Sequence, residues 1–338
     1  MNWYLQTGND SDVVLSTRIR FARNLKEFPF INKCEKKDLE EILQITENAI
    51  NKLGYGLKFF KLKDLDDVTK LSLIEKHLVS PEFIMKRNDI GAIAINDDEN
   101  VCMMFNEEDH IRMQVMSAGL DFENTLNLLL EIDEKQEALL NYAYSNKYGF
   151  LTSCPTNVGT GMRASVMVHL PALTKTNNIG KVLNIVNSFD MNIRGVYGEG
   201  SKSQGNIYQI SNKQTLGVSE KEIIKNLKVI IDKVIEQERL ARKLLAQNQI
   251  ELEDTVYRAF GVLSNCKKIT SEECKNLLSN VRLGTDLGII KEMTDCKVAR
   301  LDLYVKNANL QKYFGKQLQE YERDIKRAEI AKKIIAEN

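Results

Sequence analysis

Residues 151–170, LTSCPTNVGTGMRASVMVHL, place Cys154 before Pro155, then Gly159 and Gly161, then Arg163, and end in a strand-like run over 166–170. Packing alone does not call for Cys-Pro, Gly-x-Gly and Arg so close together. The glycines let backbone approach a ligand closely, the thiol is a candidate reactive group and the arginine a candidate phosphate-binding group. A free cysteine is also an ordinary small core residue, so on this stretch alone both readings of Cys154 stay open.

Working outward, VVLSTRIRFAR over 13–23 alternates as a strand. Val13, Leu15, Thr17 and Ile19 fall on one side, and Ser16, Arg18 and Arg20 on the other. Segments 92–95 and 101–105 read as a strand pair around the acidic turn 96–100, and 193–197 and 207–210 as strands around the polar, Gly-rich loop 198–205. Helices are predicted over 35–53, 122–145 and 171–189. Ser219 with Glu222 is a capping box that opens a helix through about Leu245. From there the chain reads as helical, with breaks at Gly261, Gly284 and Gly315. The expected fold is α+β: an antiparallel sheet flanked by helices over residues 1–250, followed by a helical domain over 251–338.

The 338 residues carry 47 Lys+Arg and 47 Asp+Glu, a net charge of zero. That argues against a global basic field for nucleic acid and leaves room for a local basic pocket. The six cysteines contain no C-x-x-C pair, which argues against a zinc knuckle or a redox dithiol and for free thiols in a reducing cytosol. The opening MNWYLQTGNDSD lacks a signal-peptide pattern, and no apolar run reaches the roughly 18 residues of a spanning helix. The expectation is a cytoplasmic protein without a direct membrane or nucleic-acid partner.

Four separated segments carry polar groups that a packed core would not select. Arg18 and Arg20 share a strand face, where like charges repel unless an anion lies between them; a solvated edge strand guarded by arginines is the plainer alternative. Asn106-Glu107-Glu108-Asp109-His110-Ile111-Arg112 can position a cation, or is a charged turn. The opening stretch contributes Cys154 and Arg163, and Arg194 to Ser201 combines an arginine, Glu199 and three glycines in a loop able to close over a ligand, or in a hairpin turn. Several arginines together suit a polyphosphate, because planar guanidinium groups bind phosphate oxygens bidentately and stay charged. No G-x-x-x-x-G-K-[ST] loop and no H-R-D loop is present, and Asp286-Leu287-Gly288 lacks every companion of the kinase metal triplet.

At STRIR (16–20), NEEDHIR (106–112), CPTNVGTGMR (154–163) and RGVYGEGS (194–201) the chain resembles the ATP:guanido phosphotransferases, or phosphagen kinases. IEKHLVSP, RGVYGEGSKSQGNIYQISNKQTLG, IELEDTVYRAFGVLSNC and VRLGTDLGII extend the resemblance to the bacterial protein arginine kinases of that family. The resemblance implies transfer of the γ-phosphoryl group of ATP to a guanidinium nitrogen, with Mg2+ bridging phosphate oxygens and no dedicated protein metal site. It assigns catalysis to Glu108, Glu199 and Cys154, the thiol acting electrostatically beside the guanidinium. It assigns nucleotide binding to Ser16, Thr17, Arg18, Ile19, Arg20, His77, Arg112, the run Arg163, Ala164, Ser165, Val166 and Met167, and the run Arg194, Gly195, Val196, Tyr197 and Gly198. Arg323, Asp324, Arg327 and Ala328 resemble the family's allosteric phosphoarginine motif, which on spacing alone is a solvated helix face. It further implies a homodimer, an activating adaptor and the Clp protease as partners in protein quality control under stress. In the small-guanidine members a helical domain of about a hundred residues precedes the STRIR-like strand, against fifteen residues here. An open site that admits an arginine side chain on a protein is therefore expected. The alternatives are a kinase for free arginine or another small guanidine, and a silent phosphoarginine-binding adaptor.

Overall fold

The computed structural model describes residues 2–195 and 204–337. Its frame is an eight-stranded sheet built from β1 (Val14–Arg23), β2 (Lys58–Lys61), β3 (Ala92–Ile95), β4 (Val101–Phe105) and β5 (Ile111–Ala118), then β8 (Met162–His169), β9 (Met191–Gly195) and β10 (Ile207–Asn212). A small separate hairpin pairs β6 (Tyr144–Ser145) with β7 (Gly149–Phe150). The order across the large sheet is β2-β3-β4-β5-β1-β8-β10-β9, with every pair antiparallel. The α+β expectation is borne out, and β1 lies near the middle of the sheet.

Alternation gives the sheet two unlike faces. Ile19, Phe21, Met113, Val115, Ala164, Val166 and Ile210 point to one face and are buried. That face is covered by α4 (Phe122–Glu137) and α7 (Glu220–Ala246), with α1 (Lys36–Leu53) packed on α4. Each large side chain sealed there contributes about 1.5–3 kcal/mol. The opposite face is covered over β3–β5 by an apolar cluster that includes Leu73 of α2 (Asp67–Glu75) and Phe83 of α3 (Pro81–Lys86). Over β1, β8, β10 and β9 it presents polar residues.

A second buried cluster runs from Leu252 to Ile334. It is formed by α8 (Gln249–Asn265), α9 (Ser271–Asp286), α10 (Asp295–Tyr304), α11 (Asn307–Phe314) and α12 (Glu320–Ala336), following α5 (Pro171–Lys175), α6 (Ile179–Ser188) and α7 in the chain. Among the polar contacts that dock this helical region on the sheet region are one at α11 and one at α9. The Glu75 carboxylate accepts from the N–H groups of Ala308 and Asn309, both at 2.9 Å, where the orphan donors of the α11 N-terminus attract negative charge. On α9, Ser279 Oγ lies 2.8 Å from His169 Nε2 and accepts from Asn206 Nδ2 at 2.9 Å.

Several expected boundaries shift, each for a local reason. The helix expected over 122–145 stops at Glu137, because the following backbone pairs elsewhere: Lys26 N donates to Asn141 O and Ala143 N to Asn24 O. The helix expected over 171–189 is two helices, α5 and α6, with Asn177 at φ +56° between them. The alternation expected from Val13 breaks near the start of β1. Val14 pairs Val168 while Ser16 pairs Met167, a bulge that leaves both Val13 and Val14 buried. Gly315 ends α11 as expected, in the left-handed conformation. Gly261 and Gly284 are not breaks but lie inside α8 and α9. At Gly284 a Cβ would collide with Val256 Cγ1, so this glycine allows the two helices to approach closely. Among the described residues no helix is long and apolar enough to cross a membrane.

Candidate active site

Strand register alone gathers the arginines. Arg20 is paired with Arg163 on one side and Gln114 on the other; Arg18 is paired with Ser165 and Met116; Arg112 is two residues before Gln114. Arg194 is paired with Gln209, which is paired with Met167. Paired residues share a face, so Arg18, Arg20, Arg112, Arg163 and Arg194 all stand on the face opposite the apolar core. All five are half-buried. Arg18 Nη2 reaches Gln209 Oε1 at 3.4 Å. Arg20 Nε and Arg194 Nε are sealed from water without a hydrogen-bond partner among the described residues.

The electrostatics of this face are unbalanced. Burial, then repulsion by Arg112, Arg163 and Arg194, pushes Arg18 down to about 9. Burial, Arg112, Arg18 and Arg163 push Arg20 well down, with Glu107 opposing. A guanidinium keeps its proton in proteins, so the imbalance appears instead as an unmet demand for negative charge. An anion with several oxygens meets that demand.

At the Arg23 end of the sheet, the β4–β5 turn brings a carboxylate cluster against residues 151–161. Glu107 Oε1 accepts from Arg112 Nη1 and from Ser80 Oγ, both at 2.8 Å. Burial alone would raise Glu107; Arg112, Ser80 and the Glu108 N–H outweigh it and hold this carboxylate below its ordinary range. Glu108 goes the other way. Partial burial, then Asp109 and Glu107, push it up, against Arg112 and a hydrogen bond from the Cys154 thiol. An exposed carboxylate with a raised proton affinity, touching a thiol beside the arginine face, has the character of a general base. Cys154 is half-buried, and its Sγ lies 3.0 Å from Thr156 Oγ1.

Asp109, which the sequence reading did not single out, holds this arrangement. It is buried, and its Oδ1 accepts from Asn24 Nδ2 at 2.7 Å and from the Ser153 N–H at 2.6 Å. It thereby fastens the residue before Cys154 beside Glu108. His110 fixes the other side of the turn. Its Nδ1 accepts from the Leu25 N–H at 2.9 Å, so Nε2 donates to Pro29 O, also at 2.9 Å. Burial pushes His110 down to about 4. Unfolding below pH 6.5 therefore adds a proton that the folded state refuses, and this histidine's contribution to stability, complete above about 6.5, is lost as pH falls towards 4. The difference in unfolding free energy between the native chain and His110→Asn is expected to narrow by about 1.4 kcal/mol per pH unit across that window. Urea denaturation of both chains at several pH values checks it, and a constant difference contradicts it.

Arg23 was also missed. It stands on the core face of β1, opposite in parity to Arg18 and Arg20, and is buried. Its Nε and Nη2 donate to Asp133 at 3.1 and 2.6 Å, its Nη1 donates to Thr160 O at 2.9 Å, and its guanidinium lies 3.5 Å from the Phe150 ring centre. It thus ties the loop between Cys154 and Arg163 to the sheet. Gly161 has φ +63°, and a Cβ there would lie 2.6 Å from both Ala22 O and Arg23 Nη1. Gly161→Ala is expected to cost about 2–3 kcal/mol, from left-handed strain and overpacking, as measured by urea unfolding.

The other assigned residues are distributed as follows. Ser16 and Met167 are paired at the far end of the arginine face, and His77, at φ +61°, borders the cavity beside them. Thr17, Ile19, Ala164 and Val166 are buried on the core face, so any nucleotide contact from them runs through backbone. Ser165 lies between Arg163 and Met167 on the arginine face. Gly195 ends β9, while Val196, Tyr197, Gly198 and Glu199 lie outside the described residues. On α12, Arg323 and Asp324 are half-buried, and Ala328 is buried. Arg327 is buried, and its donors reach Val305 O, Ile269 O, Asp324 Oδ1 and Asn307 Oδ1 at 2.6–2.8 Å. In this conformation it braces α12 and does not form an open phosphate clamp with Arg323. Among the described residues no group of three or more His, Cys, Asp or Glu is placed to hold a metal ion.

Residues 40–241 match the family model for the C-terminal catalytic domain of ATP:guanido phosphotransferases, and residues 249–338 match that for the C-terminal domain of protein-arginine kinase McsB. A protein-arginine kinase of Halothermothrix orenii is 47% identical, covering 98% of this chain and 95% of the relative. The chain belongs to the ATP:guanido phosphotransferases, and within them to the protein-arginine kinase family. A protein-arginine kinase of Bacillus licheniformis is 46% identical over 97% of this chain and 91% of its own length. Among solved structures, lombricine kinase is similar at 26% identity and a TM-score of 0.60, covering 69% of this chain and 68% of that one. The substrate-free duplicated taurocyamine kinase of Schistosoma mansoni is similar at 26% identity and a TM-score of 0.59; 69% of this chain spans 35% of that one.

Proposed function

We propose that this chain transfers the γ-phosphoryl group of ATP to arginine side chains of proteins. The observation that carries the reading is the sheet face itself: five arginines in register, with Glu108 and Cys154 at one end. Membership of the protein-arginine kinase family supports a protein acceptor.

The residues divide the work by position. Arg18, Arg20, Arg163 and Arg194 hold phosphate oxygens, and the Nε atoms of Arg20 and Arg194, without a partner among the described residues, fit that role. Arg112, already paired with Glu107, keeps one side of its fork fixed and offers its remaining donors. These charges are preorganised and offset negative charge that spreads over the transferring group. Mg2+ would enter with the nucleotide and supply further neutralisation of phosphate charge, since among the described residues no cluster of carboxylates is placed to hold it. Glu108 binds the acceptor guanidinium and takes its proton, which turns a poor nucleophile into a competent one. Cys154 touches Glu108 and adds a polarisable group beside the guanidinium. Glu199 is assigned as the second carboxylate.

The finer reading places the enzyme in the cytoplasm as a homodimer, marking proteins for a Clp protease under stress with an activating adaptor. Arg323 and Asp324, half-exposed on α12, would meet phosphoarginine, with Arg327 behind them. The test is chemical. The chain is incubated with Mg2+, γ-labelled ATP and an unfolded protein such as casein. Acid-labile label located on arginine by mass spectrometry supports the reading; acid-stable label on serine or threonine overturns it.

A further inference from the structure

Ser80 stands outside the residues given roles above, yet its side chain reaches into the site. It precedes Pro81 and caps α3, where its Oγ accepts from the Phe83 N–H at 3.2 Å. The same hydroxyl donates to Glu107 Oε1 at 2.8 Å. The backbone that carries it is pinned to β5, because the buried Gln114 donates from Nε2 to His77 O at 3.2 Å and to Leu78 O at 2.8 Å. Fixed backbone therefore delivers the hydroxyl to the carboxylate.

Glu107 is committed on both oxygens. Oε1 accepts from Ser80 Oγ and Arg112 Nη1, and Oε2 accepts from the Glu108 N–H at 3.1 Å. One carboxylate thus joins an arginine of the basic face to the backbone of the carboxylate assigned to the guanidinium. Those two groups serve opposite ends of the bond being made, so their relative placement decides whether nucleophile and phosphoryl group line up. The charged and titratable groups that act on the two carboxylates are Arg112 of β5, Arg20 of β1, Asp109 in the turn and the Cys154 thiol. The Glu107 side chain is only 10% exposed, so water is a poor substitute for a lost donor. Without the Ser80 hydroxyl, Oε1 keeps Arg112 alone, and the carboxylate can turn with it.

We propose that Ser80 is a positioning residue for phosphoryl transfer, which through Glu107 holds Arg112 and Glu108 in one geometry. The inference rests on the transfer chemistry proposed above and applies to any guanidinium acceptor.

The test separates the helix cap from the contact with Glu107. Glycine and threonine cap a helix about equally well, and only threonine keeps the hydroxyl. Ser80→Gly is expected to lower kcat by about tenfold or more. KM for Mg2+-ATP should stay within about threefold of native, because Arg18, Arg20, Arg163 and Arg194 are untouched. Ser80→Thr should keep kcat within about threefold of native. Ser80→Asp, a cap without a donor, serves if the glycine variant does not fold, with the same loss expected. Equal kcat in the glycine and threonine variants overturns the proposal, because the hydroxyl then does nothing. A second readout needs no turnover. The Glu107 carboxyl, followed by NMR titration, should move up in Ser80→Gly and stay in place in Ser80→Thr, since the hydroxyl favours the charged form. An unmoved Glu107 in the glycine variant also overturns the proposal. Transfer to free arginine and to no protein overturns the acceptor reading alone, and the same kcat comparison on free arginine then decides this one.

Discussion

Arg20→Met is expected to make the fold more stable and the enzyme inactive. Arg20 sits among Arg18, Arg112 and Arg163, with its Nε sealed and without a hydrogen-bond partner among the described residues. Methionine keeps the packing stem and removes a charge that, among the described residues, is offset by Glu107 and repelled by three arginines. The expected gain is about 1 kcal/mol, discounted because Arg20 is only half-buried. The same charge is assigned to the transferring phosphoryl group, where a single arginine is worth roughly 10³–10⁵ in rate. Loss of about 10³-fold or more in kcat/KM with an unchanged or raised Tm is the signature. A parallel fall in both properties would make Arg20 a structural residue. Stability stored against function in this way is the usual trade-off at a preorganised site.

Glu108→Gln tests the acceptor end. The substitution keeps shape and hydrogen bonding and removes the ability to take a proton. The rate is expected to fall by about 10²–10⁴-fold, the usual range for a positioned base. Calorimetric ATP affinity should stay as it was, because the arginine face is untouched. In the native chain Glu108 must be ionised to act, and its neighbours raise its proton affinity. The acid limb of the kcat profile should therefore lie above the ordinary glutamate range and disappear from the residual activity of the variant. Activity within about threefold of native would remove Glu108 from the role.

Much of this site was legible because strands convert spacing into direction. Arg18 and Arg20 had to share a face, and adjacent antiparallel strands then placed Arg163 and Arg112 beside them. Cross-strand order is not written in local spacing, so the opposed pairs Ser16–Met167 and Arg194–Gln209 needed the fold. Asp109 looked like one of three acids in a turn; only its burial against Asn24 and Ser153 reveals a positioning role. Gly284 looked like a helix break because glycine is a poor helix former, whereas close packing against Val256 was the reason for it. On spacing alone Arg327 belonged to a solvated helix face, yet it is buried and its hydrogen bonds brace α12. In each case tertiary packing decided between two readings that a single sequence leaves equal.

The most direct test of the account is the rate of phosphoryl transfer from Mg2+-ATP to an unfolded protein and to free arginine at matched guanidinium concentration. Glu108→Gln is run alongside. The account predicts phosphoarginine on the protein, formed faster than on the free amino acid, and lost in the variant. Transfer to free arginine alone, or protein phosphorylation that survives in the variant, would contradict it.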